Sequence, residues 1–252
     1  PGGGVIDAIK VGGKILVDNG VTPSVNVPSI ASEYKANTTA GFSIVSYTGT
    51  GSNLSIGHGL NAAPELVIVK STGDAYSWIV WHGSFGTASN TDYLFLESDA
   101  VKGGSSYNFW NSTAPTSSVV NIGTQVSVNA NNATYIAYCW APVEGFSKFG
   151  SYEGDNSTDG TYVHLGFHPA FIMIKNIDAT NNWVIYDTVR DTYNASSAEL
   201  YPDTSGAEFG SGPLDILSNG FKQRSQHNHL NAANTYIYAA WASSPFKYSN
   251  AR

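Results

Sequence analysis

A single cysteine, Cys139, in 252 residues excludes an intramolecular disulfide framework, so the fold has to rest on packing. Charge is scarce as well: Asp, Glu, Lys and Arg make up 12% of the chain, against roughly 25% in an average globular domain. The 12 Lys and Arg are scattered singly in a chain of net charge −7, which leaves no basic stripe for a phosphate backbone and argues against nucleic-acid binding. No apolar run approaches the roughly 20 residues of a membrane-spanning helix, and no signal-peptide pattern is visible. Gly2-Gly3-Gly4 and Gly103-Gly104 lack the strand-to-helix context and the lysine of a phosphate-cradling loop, so they read as turns. A sustained apolar period of 3.6 is missing too, which excludes a helical architecture.

What the chain does have is repetition. Pro64 to Lys70 (PELVIVK) and Trp78 to Trp81 (WIVW) return as Pro169 to Lys175 (PAFIMIK) and Trp183 to Tyr186 (WVIY), both at an offset of 105 residues. Thr134-Tyr135-Ile136 and Cys139-Trp140-Ala141 return as Thr235-Tyr236-Ile237 and Ala240-Trp241-Ala242 at an offset of 101. Such a period exceeds the roughly 20 to 50 residues of solenoid and propeller units, which predicts a duplicated small domain. The strands read as short β-branched or aromatic runs between Gly, Pro, Asn and Asp punctuation, with dense turns such as Asp155 to Gly160. The expected fold is all-β: two tandem, homologous antiparallel β-sandwich lobes, jelly-roll-like, at 41–144 and 145–252. Residues 1–40 are expected to hold the closing hairpin of an upstream β domain, turning at Gly12-Gly13, and then a Pro-punctuated linker near 20–40. The chain begins at Pro1 rather than Met and is expected to be part of a longer product.

The run Tyr135 to Trp140 followed by Val143 to Tyr152 (VEGFSKFGSY) resembles a duplicated domain of unknown function in bacteriophage virion proteins. Trp183 to Asp187, Leu217 to Lys222, Thr235 to Tyr238 and the ending Pro245 to Arg252 match it as well. That resemblance, over roughly residues 41–252, implies a tail-fibre-like or other structural virion protein, especially of phages of marine bacteria and cyanobacteria. It implies an upstream lectin-like jelly roll, and it supplies no catalytic residues. A homotrimer contacting other virion proteins is the expected assembly, without cofactor or membrane insertion. Host-surface polysaccharide is the expected partner, and the virion the expected location.

Three constellations bear on chemistry. Asp187, Asp191, Glu199 and Asp203, with Arg190 among them, form an acid-rich stretch of the second lobe. A glycan-processing site needs two carboxylates roughly 5 to 10 Å apart. The first lobe has His82, Gly86, Leu94 and Ser98 at those places, so a site shared by both lobes is excluded, and loop-tying ion pairs are the plainer reading. His227 and His229 would lie on one face of a strand and are the candidate metal ligands, although no carboxylate follows at a useful spacing. His58 and His82 read as structural, and Gly166 and Pro169 predict a bend between His164 and His168. Sugar recognition uses exposed aromatic rings edged by polar groups, and Trp110, Tyr107 and Tyr76 are the candidate platform. Trp78, Trp140, Trp183 and Trp241 recur in both lobes and are expected to fill the two cores. The reading is a non-enzymatic structural component of a phage particle. Its alternatives are a depolymerase using the second-lobe carboxylates and a secreted adhesin or carbohydrate-binding module.

Overall fold

The computed structural model describes residues 8–11, 14–18, 27–85, 91–210 and 212–244. Strands β1 (Ala8–Val11) and β2 (Lys14–Asp18) form an antiparallel hairpin. The Gly12-Gly13 turn and the closing segment 245–252 lie outside the described residues. There follow β3 (Glu33–Asn37), β4 (Phe42–Thr48), β5 (Leu54–Gly57), β6 (Leu66–Ser71), β7 (Ile79–His82), β8 (Leu94–Phe95) and β9 (Val119–Ile122). One helical turn, α1 (Val126–Asn129), precedes β10 (Thr134–Trp140). The second half holds β11 (Ser147–Glu153), β12 (Tyr162–His164), β13 (Pro169–Asn176), β14 (Val184–Asp187), β15 (Leu214–Leu217), β16 (Gly220–Gln223) and β17 (Thr235–Ala242). The fold is all-β, with antiparallel sheets packed as sandwiches.

Two sheets dominate, one of six strands in the order β3-β4-β10-β6-β7-β8 and one of four in the order β11-β17-β13-β14. A β5-β9 pair and a three-stranded β12-β16-β15 sheet complete the two halves. The linker expected over 20–40 is not a plain connector: β3 lies within it and extends the first sheet by pairing with β4, Glu33 opposite Ser46 and Asn37 opposite Phe42. Its five residues are all exposed, so backbone pairing rather than burial holds it. In β4 the period of two is plain, with Ser43, Val45 and Tyr47 buried and Ile44, Ser46 and Thr48 exposed. In β6, Leu66 to Val69 are buried on both faces, as an uninterrupted apolar run requires.

The two large sheets keep one pairing pattern. Tyr135 of β10 stands between Tyr47 and Ser71, and Tyr236 of β17 stands between Tyr152 and Asn176. Ile79 pairs with Val69 as Val184 pairs with Ile174. The hydrogen bonds behind the sheets correspond too: Tyr47 Oη donates to the Val128 carbonyl and Tyr152 Oη to the Leu230 carbonyl. Gly49 and Gly154 occupy matching points where the backbone passes so close that a β-carbon would meet the Ala130 carbonyl oxygen at 2.3 Å and that of Ala232 at 1.9 Å. Only glycine fits such an approach.

The halves share a core. One apolar cluster joins Val45, Val67, Ile79, Phe109 and Tyr135 to Phe149, Met173 and Ile237 of the four-stranded sheet and to Ile177 and Trp183, which flank its strands β13 and β14. A second cluster, with Tyr152, Ile174, Tyr186, Phe221 and Tyr236, fills the space under β12-β16-β15. Polar bonds cross the same junction: Trp183 Nε1 donates to the Phe95 carbonyl at 2.9 Å and Lys175 Nζ to the Asp99 carbonyl at 3.0 Å.

Candidate functional site

The expected aromatic platform does not form. Trp110 is 1% exposed and belongs to the first cluster, where it is among the largest fully buried side chains. The Gly123 N–H donates to the neighbouring Phe109 carbonyl at 2.7 Å, and buried Tyr93 packs edge-on against the Phe109 ring at 4.6 Å, drawing the loop inward. Tyr107 is 45% exposed but leans on Tyr93 and Phe109. Tyr76 is half-buried, its carbonyl accepting from Lys70 Nζ at 2.6 Å. The recurring tryptophans also depart from expectation, since Trp183 is buried whereas Trp78, Trp140 and Trp241 are half-buried. Trp140 stacks on Phe42 at 5.0 Å and Tyr138 on Trp78 at 6.4 Å. All three half-buried tryptophans pack against the first apolar cluster, so they remain part of the core's edge.

The second-lobe acids are built into the scaffold. Asp187 accepts from the Val189 and Arg190 N–H groups and from the Arg190 guanidinium, which also binds Glu208. Burial raises its pKa, but these donors outweigh that and hold the carboxyl below the usual range. Asp191 Oδ2 accepts the N–H groups of Ser197 (2.7 Å) and Ala198 (3.1 Å), which likewise lower its pKa. Glu199 is fully buried: Tyr186 Oη lies 3.0 Å from Oε1, the Tyr201 hydroxyl donates to Oε2, and His229 Nε2 lies 3.1 Å from Oε2. Desolvation favours its neutral form, yet His229 and the two hydroxyls more than offset this and keep it ionised at neutral pH. Asp203 goes the other way, raised by burial, in the field of Lys175. Lys175, also fully buried, is pulled down to about 8 by desolvation and plugs the carbonyls of Asp99 and Asn181. Lys70 does the same for Asp74 and Tyr76 in the first half.

His227 and His229 are not on a strand. Leu230 and Asn231 both donate their N–H to the His227 carbonyl, which closes a turn. The rings still lie 5.2 Å apart, but His229 is turned toward Glu199. Among the described residues no group of three or more His, Cys, Asp or Glu could hold a metal ion. His58 and His82 are buried and bonded to the carbonyls of Thr116 and Tyr238. Gly166, at φ +87°, makes the bend that separates His164 from His168.

Several aromatic residues are exposed, Tyr34, Tyr162 and Phe209 among them, and the most exposed aromatic among the described residues is one the sequence does not single out. Tyr193 is 83% exposed, at the rim of a cleft of about 290 Å³ whose other walls include His168, Thr188, Asp191, Thr192 and Asn194. The signal for it was the run Asp191-Thr192-Tyr193-Asn194, in which a single tyrosine is flanked by polar residues on both sides.

Fold and site together define an all-β protein of packed antiparallel sheets in which the described ionic groups mostly secure loops. The chain belongs to the family described as a domain of unknown function (DUF7483), whose model matches residues 17–245. A search of curated proteins finds no match. Among solved structures, it is similar to one titled "Crystal Structure of the STIV MCP" at 11% identity and a TM-score of 0.20, over 84% of this chain and 95% of that one. A superposition that loose carries nothing about fold or role.

Proposed function

We propose that this chain is a structural component of a bacteriophage virion, in a tail fibre or other projecting appendage, and that it meets the host surface through its loops without catalysing a reaction. The observation that carries the non-catalytic part is the fate of the acids: Asp187, Asp191 and Glu199 each hold loop backbone or neighbouring side chains. A glycosidase instead needs one carboxyl free to protonate a leaving group and another free to attack or to activate water. The virion part is supported by the resemblance of Val143 to Tyr152, Trp183 to Asp187 and Leu217 to Lys222 to phage structural proteins. In this reading the protein works as a homotrimer beside other virion proteins, which light scattering on the purified protein should show as three copies; a monomer alone would remove the trimer.

Antibody against this chain should label an appendage of purified particles, and its absence from particles would remove the virion role. Incubation with host polysaccharide should release no reducing ends. Release abolished by Asp191→Asn in a protein that still folds would establish the enzymatic alternative instead.

A further inference from the structure

Hydrogen bonds tie down most of the walls of the cleft beside Tyr193. Asn194 clamps Ile216 from both sides, its Oδ1 accepting the Ile216 N–H and its Nδ2 donating to the Ile216 carbonyl, both at 2.8 Å. Asp191 is fixed by the two backbone donors of Ser197 and Ala198. The Thr188 N–H donates to the Ala170 carbonyl at 3.0 Å, and His168 Nδ1 lies 3.1 Å from Ser243 Oγ. Walls held this way lose little freedom when a ligand arrives. Against this frame stands Tyr193, which makes no ring contact with any described residue and contributes almost nothing to the core.

A flat exposed ring beside threonine hydroxyls is the chemistry that recognises a sugar: the ring covers a C–H face while the polar groups bind hydroxyls. The volume, just under the roughly 300 to 1,000 Å³ of drug-sized sites, suits a single saccharide unit. Charge narrows the class. Asp191 is ionised, the nearby Arg190 is occupied by Asp187 and Glu208, and the chain carries a net −7, so an acidic sugar would meet repulsion.

We propose that this cleft binds one unit of a neutral carbohydrate, with the Tyr193 ring against its C–H face and with Thr188 and Thr192 binding its hydroxyls, while Asp191 holds the loop that shapes the cleft. The assignment names a site and a ligand class for the host-surface contact proposed above and rests on that reading. The test is calorimetric titration of the purified chain, to millimolar concentration, with the tetrasaccharides of glucose, mannose, galactose and N-acetylglucosamine and with tetragalacturonate. At least one neutral saccharide should bind, Tyr193→Ala should weaken it tenfold or more at an unchanged melting temperature, and Thr188→Val should weaken it by a smaller factor. Three outcomes would each overturn the site: no neutral saccharide binds, Tyr193→Ala binds as tightly as the parent, or tetragalacturonate binds best. None of them bears on particle labelling, so failure of the site and failure of the virion role remain distinct.

Discussion

His82 shows what burial does to a single ring. It is 2% exposed at the end of β7, where Nε2 donates to the Tyr238 carbonyl across the junction between the sheets and Nδ1 accepts the Ser84 N–H. A neutral imidazole satisfies both bonds. Burial pulls its pKa down to about 4, opposed only in part by the carbonyl. A histidine in the unfolded chain binds a proton near pH 6.5, so below that value the unfolded state takes up a proton that the folded state refuses. The contribution to stability is therefore complete above about pH 6.5 and lost as pH falls toward 4, amounting to about 3 kcal/mol over that interval. His82→Gln should flatten the pH dependence of the denaturation free energy in that window relative to the parent. Parallel curves for the two proteins would show that His82 does not titrate as its setting requires.

At the scale of elements, the recurring device is a buried asparagine that closes each half. Asn129 Oδ1 accepts the Thr50 N–H at 2.7 Å while its Nδ2 donates to the carbonyls of Ser52 and Gly123. Asn231 does the same with the Asp155 N–H and the carbonyls of Ser157 and Ser225. Replacing either by alanine strands several buried backbone groups, so Asn129→Ala and Asn231→Ala should each cost about 2 to 4 kcal/mol in chemical denaturation. Near-zero cost in one and a large cost in the other would mean that the two turns are not equivalent. The sequence made much of this legible: the offsets of 105 and 101 fall on strands that pair in matching register, because apolar runs such as Leu66 to Val69 and Ile172 to Ile174 have only a buried strand to occupy. It hid β3, whose exposed residues carry no alternation, and it misplaced Trp110, which sits among polar neighbours but is buried by Tyr93 and Phe109 through contacts that local pattern does not encode. The largest ring in a polar loop, Trp110, points to a platform that does not form, while the most exposed tyrosine among the described residues, Tyr193, stands in the acid-rich stretch of the second half.

For the whole molecule, the question is whether two similar halves behave as two domains. Phe149, Met173 and Ile237 lie on the four-stranded sheet and Ile177 and Trp183 flank its strands, yet all five belong to the apolar cluster of the first half. The fully buried Lys175 ammonium depends on the Asp99 carbonyl of that half, and the Asn181 N–H bonds to the same oxygen at 2.9 Å. Residues 145–252 alone would therefore expose a large apolar face and leave a buried cation short of an acceptor, a combination that costs more than a small domain's usual margin of roughly 5 to 15 kcal/mol can absorb. Calorimetry of the full chain should thus give one cooperative transition. Trp183→Ala, which removes a 1%-exposed ring and its bond to Phe95, should lower that transition as a unit, by about 3 to 5 kcal/mol. Two resolved transitions, with only the second displaced by Trp183→Ala, would show instead that each half folds on its own and that the shared cluster is a contact between finished domains.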